Sequence, residues 1–391
     1  MLKHDFDATT NRMGTNCKKW DTYGEDVIPM WIADTDFKCP QPVLDAIRKR
    51  AEHDIYGYPC INRSYEKAIA GWQHRRFGWD IDPEWVEYTP AVIPAIVYAM
   101  RAFTNPGDSV VVMMPAYHPF HSVIPHSGRF IAPNPLIHDE EKGTWNIDWE
   151  NFESLLAEPR TTMFLLCNPH NPTGRVFTRE ELERMAALCK KYNVFVVSDE
   201  IHSDIVYKGY THIPFGSVND DAANNCVVCV NPSKTFNIAG FRTGAAIIPN
   251  RNNHDLFYAE LENLKAFGRN IFGTLAVETA YSQCDYYADQ LMEYLQGNLE
   301  YMQAFLKERV PEMKVGEIQA TYLIWVDCRA LGMDHKTMMD FFLKEAKVAM
   351  NDGYTFGPGG DGFMRLNIAC PRVQLVEALE RIEKAVKTLR K

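Results

Sequence analysis

The sequence predicts an α/β fold: a large domain built on a mostly parallel central sheet flanked by helices, and a smaller α+β domain. Two observations lead to this prediction. Through the middle of the chain, patterns with helical spacing alternate with short β-rich apolar runs, which is the order of elements found in parallel sheets covered on both faces. After about residue 275 the alternation stops, and long helical patterns are separated by two isolated β-rich runs.

The individual elements follow from hydrophobic spacing and from turn residues. In the first part of the chain we expect helices over 42–52, 62–76, 92–104 and 179–192, and strands over 110–114, 163–167, 195–198 and 227–230. In the second part we expect a long helix over 281–308, a helix over 336–346, β-rich segments over 321–326 and 363–368, and a final helix with an apolar stripe formed by Leu375, Leu379, Ile382, Val386 and Leu389.

Composition restricts the class of protein. The chain has 391 residues, 46% hydrophobic and 24% charged, which is ordinary globular composition. The net charge of −10 argues against nonspecific nucleic-acid binding, and without a long uncharged apolar run we expect no membrane span. The polar, acidic start does not resemble a secretory signal, so ten scattered cysteines predict free thiols in the cytoplasm. We see no metal-ligand spacing and expect no metal site.

Three successive predicted strands end in polar side chains that suit cofactor chemistry. Asn171 follows the first in a turn, Asp199 follows the second, and Lys234 follows the third. In an open parallel sheet these ends line the ligand crevice. A lysine held there out of bulk water has a lowered pKa and forms a Schiff base with an aldehyde cofactor. The neighbouring Ser233 and Arg242 are donors that suit a phosphate.

The motifs in this order resemble the fold-type I pyridoxal-phosphate enzymes, which include the aspartate aminotransferase superfamily. The relevant segments are Asn-Pro-His-Asn-Pro-Thr-Gly at 168–174, Ser-Asp-Glu-Ile-His at 198–202 and Ser-Lys-Thr-Phe at 233–236. More narrowly, the segments at 29–37, 56–59, 115–120, 233–240, 321–327 and 365–369 are similar to the MalY/PatB group of cystathionine β-lyases, or cysteine C–S lyases. The resemblance covers nearly the whole chain.

The resemblance implies the cofactor pyridoxal 5'-phosphate, an amino-acid substrate and a homodimer with shared active sites. It also implies that the N-terminal segment joins the small domain. We therefore predict a large cofactor-binding domain over 41–280 and a small domain formed by 1–40 and 281–391.

The resemblance also assigns roles to residues around the cofactor ring. Lys234 is the Schiff-base lysine and the base that removes the Cα proton. Asp199 keeps the pyridine nitrogen protonated, so that the ring withdraws electrons. Asn171 bonds the phenolic oxygen, and His202 lies near it. Tyr117 stacks on the ring.

Further roles concern the phosphate and the substrate. The backbone N–H groups of Val92 and Ile93, at the start of a helix, suit the phosphate dianion, although Ala91 replaces the usual family glycine. Ser233 and Arg242 complete this phosphate site, and Tyr58 reaches the phosphate of the neighbouring subunit. Arg365 and Asn171 bind the substrate's α-carboxylate, and Ala33 adds a backbone contact at the entrance. Lys234, Tyr58 and Tyr117 are the predicted catalytic residues. His118 is a candidate for assisting the leaving group.

The predicted reaction is α,β-elimination from L-cystathionine or a related cysteine S-conjugate, giving a thiol, pyruvate and ammonia. Elimination rests on the resemblance, because the same residues serve an aminotransferase acting on an L-amino acid and a 2-oxo acid. Arg242 leaves that alternative open. A third possibility, of another class, is an additional regulatory protein-binding role.

Overall fold

A computed structural model describes residues 3–266 and 268–390 of the chain. Within these residues the strands, numbered in chain order, are β1 (Ile28–Pro29), β2 (Val86–Thr89), β3 (Ser109–Met114), β4 (Phe130–Pro135), β5 (Ile137–Asp139), β6 (Thr144–Asn146), β7 (Thr161–Cys167), β8 (Phe195–Asp199), β9 (Cys226–Val230), β10 (Gly244–Ile247), β11 (Lys314–Val315), β12 (Leu323–Asp327), β13 (Val348–Ala349), β14 (Asn351–Asp352) and β15 (Phe363–Asn367).

The α-helices of the same residues, also in chain order, are α1 (Lys18–Asp21), α2 (Gln41–Ala51), α3 (Ser64–Phe77), α4 (Val92–Phe103), α5 (Phe120–His126), α6 (Trp149–Leu156), α7 (Arg179–Lys191), α8 (Asp220–Ala223), α9 (Ser233–Phe236), α10 (Arg251–Asn263), α11 (Ile271–Gln283), α12 (Asp285–Arg309), α13 (His335–Asp340) and α14 (Arg372–Leu389). A π-helical turn, Phe341–Glu345, continues α13. No helix in this part of the chain is long and apolar enough to cross a membrane.

The main sheet of the described residues has seven strands in the order β2-β10-β9-β8-β7-β3-β4. β9, β8, β7, β3 and β4 run parallel, whereas β10 is antiparallel to both of its neighbours. This confirms the predicted α/β fold with a mostly parallel central sheet. The strand order reverses between β3 and β7, and at such a reversal the carboxyl ends of the strands form a crevice.

Both faces of the main sheet are buried. Successive side chains of β3 enter two separate cores: Val111 and Met113 belong to one, and Val110 and Val112 to the other. This follows from the two-residue repeat of a strand, in which neighbouring side chains point to opposite faces. Near-continuous apolar strands are therefore typical of this sheet.

The C-terminal part of the chain forms a second, antiparallel sheet in the order β11-β12-β15-β14, with α12 and α14 packed nearby. Four residues of the predicted apolar stripe of α14 are buried, namely Leu375, Leu379, Ile382 and Val386, whereas Leu389 is 45% exposed. β1 pairs in parallel with β13, so the N-terminal segment lies beside C-terminal residues. The division into domains 41–280 and 1–40 with 281–391 stays a prediction, and residues 1, 2, 267 and 391 lie outside the described residues.

The predicted long helix over 281–308 is divided in the structure. α11 ends at Gln283, and α12 begins at Asp285 after Cys284, which has non-helical backbone angles of φ −118° and ψ 27°. Tyr281, Cys284 and Tyr287 are all buried across the break. Because the apolar spacing continues through the break, periodicity alone could not locate it.

Candidate active site

A cavity of about 170 Å³ opens at the carboxyl ends of β7, β8 and β9. Ten of the residues predicted for the site line it: Ala33, Val92, Ile93, Tyr117, Asn171, Asp199, His202, Ser233, Lys234 and Arg242. A larger cavity of about 450 Å³ lies between the β5–β6 hairpin and β12, but its lysines and glutamates are exposed. The smaller cavity is the candidate active site because it combines buried titratable groups with pKa values shifted in opposite directions.

The strand ends bring the polar side chains of the cavity together. Asp199, the last residue of β8, lies opposite Cys167 of β7 and Cys229 of β9 in the strand register. Lys234 follows β9 by a few residues and lies in the short helix α9. The strands are anchored by their buried apolar side chains, so the positions of their polar ends are fixed by the core.

Lys234 donates a hydrogen bond from Nζ to the backbone oxygen of Ala33 at 2.7 Å. Burial lowers the pKa of the amine to about 8. The charges of Asp34 and Asp199 oppose this lowering, whereas the Arg365 guanidinium adds to it. A substantial fraction of the amine is therefore neutral near pH 8. In that form the nitrogen can attack a carbonyl carbon or accept a proton.

Asp199 is a carboxyl group with few partners. It is 3% exposed, and its Oδ1 accepts a hydrogen bond from the backbone N–H of Ile201 at 3.2 Å. Burial raises the pKa of the carboxyl to about 7, although Ile201 and the charge of Lys234 oppose the rise. A cationic N–H donor entering the cavity would satisfy this group.

His202 is a neutral imidazole in a buried position. The side chain is 2% exposed, and its Nδ1 has no hydrogen-bond partner among the residues that the structure describes. Burial lowers the pKa of the ring well below its usual value, and Lys234 and Arg365 lower it further. The ring meets Tyr322 edge-on, with 6.1 Å between the centroids. An unpartnered buried nitrogen in a cavity is typical of a group that meets a ligand.

One end of the cavity is a cluster of hydrogen-bond donors. α4 begins at Val92, and its first helical hydrogen bond runs from Ala95 N to Ala91 O at 3.2 Å, so the N–H groups of Val92 and Ile93 are not used by the helix. The hydroxyl of Ser233 and the guanidinium of Arg242 line the same cavity. Backbone N–H groups, a hydroxyl and a guanidinium are the donors that proteins use to bind phosphate.

The alanine that replaces the usual family glycine creates no strain here. Ala91 precedes α4 with φ −179° and ψ 173°, which is extended backbone that any residue adopts. Val92 and Ile93, in the first turn of the helix, line the cavity together with Ala91.

Tyr117 lies three residues beyond the end of β3, on the wall of the cavity. Its ring meets Phe120 edge-on at 5.7 Å. Burial raises the pKa of the phenol, so the group is a neutral hydroxyl at pH 7. A tyrosine ring fixed at this position can stack on a flat ligand.

Arg365 lies on β15 and reaches the cavity through Asn171. Its Nη1 donates to Asn171 Oδ1 at 2.9 Å, and its Nη2 donates to Asn351 Oδ1 at 2.7 Å. The side chain is 2% exposed, and burial lowers the pKa of the guanidinium to about 10, which leaves it cationic at pH 7. A buried arginine beside the cavity is suited to a carboxylate.

Arg365 and Tyr58 are the predicted site residues that do not line this cavity; Arg365 contacts its wall through Asn171, whereas Tyr58 lies elsewhere. The side chain of Tyr58 is fully exposed, in an irregular segment beside Tyr56 and facing Arg269 and Phe272. The sequence-based prediction placed it in the site of a neighbouring subunit. Its position on the single chain leaves it available to another molecule.

Several residues that contact the site were not predicted individually. Tyr322 donates from its hydroxyl to Ala33 O at 3.2 Å, the same oxygen that Lys234 contacts. Asn237 holds the segment that follows Ala33 in place through bonds from its Nδ2 to Thr35 O and Phe37 O. Tyr322 and Asn237 belong to motifs that carried the resemblance, and this is the signal that could have identified them.

The fold and the cavity define an α/β enzyme whose site combines a low-pKa lysine, a buried carboxyl and a cluster of phosphate-binding donors. The family model described as aminotransferase class I and II matches residues 25–382, and the chain belongs to this family. It is 42% identical to the cystathionine beta-lyase PatB of Bacillus subtilis (strain 168) over 98% of this chain and 100% of that protein. It is 33% identical to protein MalY of Escherichia coli (strain K12) over 99% of this chain and 100% of that protein.

A solved structure supports the same relationship. Cystalysin from Treponema denticola, which contains a pyridoxal 5'-phosphate cofactor, superposes with a TM-score of 0.96 at 34% identity, covering 99% of this chain and 100% of that chain. The resemblance inferred from the motifs is thus confirmed at the level of both sequence and fold.

Proposed function

We propose that this protein is a pyridoxal-phosphate-dependent carbon–sulfur β-lyase that acts on L-cystathionine or related cysteine S-conjugates and releases a thiol, pyruvate and ammonia. The observation that carries the proposal is the pairing, in one cavity, of an amine with a pKa near 8 and a carboxyl with a pKa near 7, in a chain of this family. Membership of the family is shared with aminotransferases, and the 42% identity to the cystathionine beta-lyase PatB is what favours elimination as the reaction.

The residues of the cavity fit pyridoxal 5'-phosphate. The under-partnered carboxyl of Asp199 suits a protonated ring nitrogen, and the unpartnered Nδ1 of His202 suits a polar group on the ring. Val92, Ser233 and Arg242 supply hydrogen-bond donors for the phosphate, and the guanidinium of Arg242 also supplies a positive charge. When bound, this cofactor supplies an aldehyde and a cationic ring that withdraws electrons from the substrate's Cα.

The roles proposed for the chain's own residues follow from their positions. Lys234 would provide the amine that holds the aldehyde. Once the substrate's amino group has taken its place there, the freed Nζ would accept the proton from the substrate Cα. Tyr117 holds the flat ring from one side, and Asn171 orients it by a hydrogen bond. Arg365, with Asn171, binds the α-carboxylate, and the backbone of Ala33 limits the entrance. Thiolate loss from Cβ follows proton removal, because the electron pair left at Cα forms the new Cα–Cβ double bond.

The proposal includes a homodimer in which Tyr58 completes the site of the partner. Tyr58 and its neighbours Ile55, Tyr56 and Ile61 are exposed, and a cluster of large apolar side chains in an irregular segment is suited to contact with a second copy. We also propose a cytoplasmic location, because all ten cysteines, each within the described residues, are free thiols.

The test is to supply the purified protein, loaded with cofactor, with L-cystathionine and to measure pyruvate and free thiol together. Lys234→Ala is the control that keeps the fold but removes the base. We expect pyruvate and thiol to form in equal amounts over many turnovers, and we expect the variant to form neither. Turnover that requires a 2-oxo acid and yields no thiol would refute the lyase proposal and indicate an aminotransferase.

A further inference from the structure

The partners of Arg365 have one property in common. Its guanidinium contacts the amide oxygen of Asn171 at 2.9 Å, the amide oxygen of Asn351 at 2.7 Å and the backbone oxygen of Trp31 at 3.4 Å, and it lies 4.9 Å from the centroid of the Phe356 ring. All four partners are neutral. Among the described residues, no carboxylate forms an ion pair with this buried cation.

The position of Asn351 shows that a neutral side chain stands where a carboxylate could pair with Arg365. Asn351 lies on β14 directly opposite Arg365 on β15, so the two side chains share one face of the sheet. The amide must present its oxygen, because a guanidinium offers only donors. An aspartate has the same shape and would bind the guanidinium more tightly as an ion pair. The chain instead has a side chain that orients the guanidinium and leaves its charge uncompensated.

Arg365 retains donor capacity that its protein partners do not use. Its Nε is buried and has no hydrogen-bond partner within residues 3–266 and 268–390, and its contact with Trp31 is long. A buried cation with free donors is costly unless an anion completes the site. Burial lowers the pKa of this group, and the nearby groups that oppose the lowering are the phenols of Tyr117 and Tyr322.

We propose that Asn351 is a positioning residue that holds Arg365 without neutralising it, so that the α-carboxylate of the substrate becomes the guanidinium's anionic partner. The proposal rests on the proposed function only for the identity of that carboxylate. Asn351 therefore sets the affinity for the amino acid through the charge of Arg365, while the chemistry at Cα is left to Lys234.

Three variants of the cofactor-loaded enzyme separate charge from shape. Asn351→Asp preserves the shape and the hydrogen bond but introduces a carboxylate, Asn351→Ala removes the bond, and Asn263→Asp adds the same charge at an exposed end of α10. The ligands are L-alanine, which has no β-leaving group, and L-alaninamide, which has no carboxylate. Binding is followed by the change in cofactor absorption.

We expect Asn351→Asp to weaken the binding of L-alanine by about 250-fold, because a unit charge lies at about 5 Å in an effective dielectric of about 20. The binding of L-alaninamide should be nearly unchanged. Asn351→Ala should weaken L-alanine by about 10-fold through loss of one oriented hydrogen bond to a charged group. With L-cystathionine the loss should appear in KM and hardly in kcat, because the carboxylate is bound alike before and during the reaction. Asn263→Asp should behave as the wild type, and Asn351→Asp should unfold at or above the wild-type temperature.

If Asn351 had only a structural role, the two variants would rank in the opposite order for L-alanine binding. Asn351→Asp would then be tolerated, and Asn351→Ala would be the weaker binder. That ranking, or an equal loss for L-alanine and L-alaninamide, would overturn the proposal, as would a wild type that binds both ligands equally well. A wild type that discriminates the two ligands yet does not cleave L-cystathionine would reject the lyase activity and leave the role of Asn351 supported.

Discussion

The carboxyl of Asp199 allows a quantitative prediction for Asp199→Asn. Burial raises its pKa from 3.8 to about 7, a shift of about three units, so the ionised form is disfavoured by about 4 kcal/mol in the empty cavity. A cation bound next to the carboxylate would offset this cost of ionisation. The same pairing would hold a ring nitrogen in its protonated form. The asparagine has nearly the same shape and can still accept the bond from Ile201 N–H, but it has no charge to stabilise that cation.

If between half and all of this free energy supports the reaction, kcat for elimination should fall by about 30- to 1000-fold in Asp199→Asn. The assay is pyruvate formation from L-cystathionine at saturating cofactor, with the cofactor content of each preparation measured by absorption. Asp204→Asn is the matched control. Asp204 is also buried and its pKa is also raised by burial, but its oxygens accept bonds from Trp72 Nε1 and Thr235 Oγ1 at 2.9 and 2.8 Å.

Asp204→Asn should lower stability and leave kcat per bound cofactor close to that of the wild type, because its carboxyl does not line the cavity. A kcat for Asp199→Asn close to the wild-type value at full cofactor occupancy would refute the reasoning. It would mean that the raised pKa of Asp199 reflects a neutral, purely structural carboxyl.

Two further predictions concern Lys234 and Tyr58. The pKa of the Lys234 amine is lowered to about 8, so the neutral nucleophile forms at lower pH than for an ordinary lysine. The rate at which the cofactor-free protein binds the aldehyde should therefore rise up to about pH 8 and then level off. A rise that continues towards pH 10 would contradict the structure. If Tyr58 acts in the partner's site, unfolded Tyr58→Ala and Lys234→Ala chains that are mixed and refolded together should recover about a quarter of the wild-type sites. Half of the dimers are then mixed, and each mixed dimer has one intact site. No recovery of activity, with mixed dimers present, would exclude a shared site.

The strand ends could be predicted from the sequence because the signal there is local. Runs such as 195–199 are apolar over several residues and then become polar, and the core fixes where such a run ends. The sequence alone therefore predicts that Asn171, Asp199 and Lys234 lie at one edge of a sheet, and in the structure all three line one cavity. The break between α11 and α12 was missed for the converse reason, since burial continues through it.

The contacts across the cavity could not be predicted in the same way, because they join residues far apart in the chain. Lys234 and Ala33 are separated by 201 positions, and Arg365 and Asn171 by 194. No spacing rule relates such pairs, and a resemblance gives only the identity of one residue at a time. Asn351 illustrates this limit: its importance is visible only once the register of β14 and β15 places it opposite Arg365.

The position of Ala33 shows how distant parts of the chain cooperate in the site. Its carbonyl accepts bonds from both Lys234 and Tyr322, and the residues that follow it are fixed by a buried ion pair in which Lys19 Nζ lies 2.8 Å from Asp36 Oδ2. Lys19 is 1% exposed and Asp36 is 5% exposed. The pair belongs to a network, because Arg12 also lies 2.6 Å from Asp36 and Lys19 lies 3.6 Å from Asp34. The entrance segment is thus held by hydrogen bonds and ion pairs beside a lysine whose lowered pKa comes mainly from burial. The N-terminal segment therefore lines the cavity through Ala33, and the charge of Asp34 opposes the lowering of the pKa of the Lys234 amine.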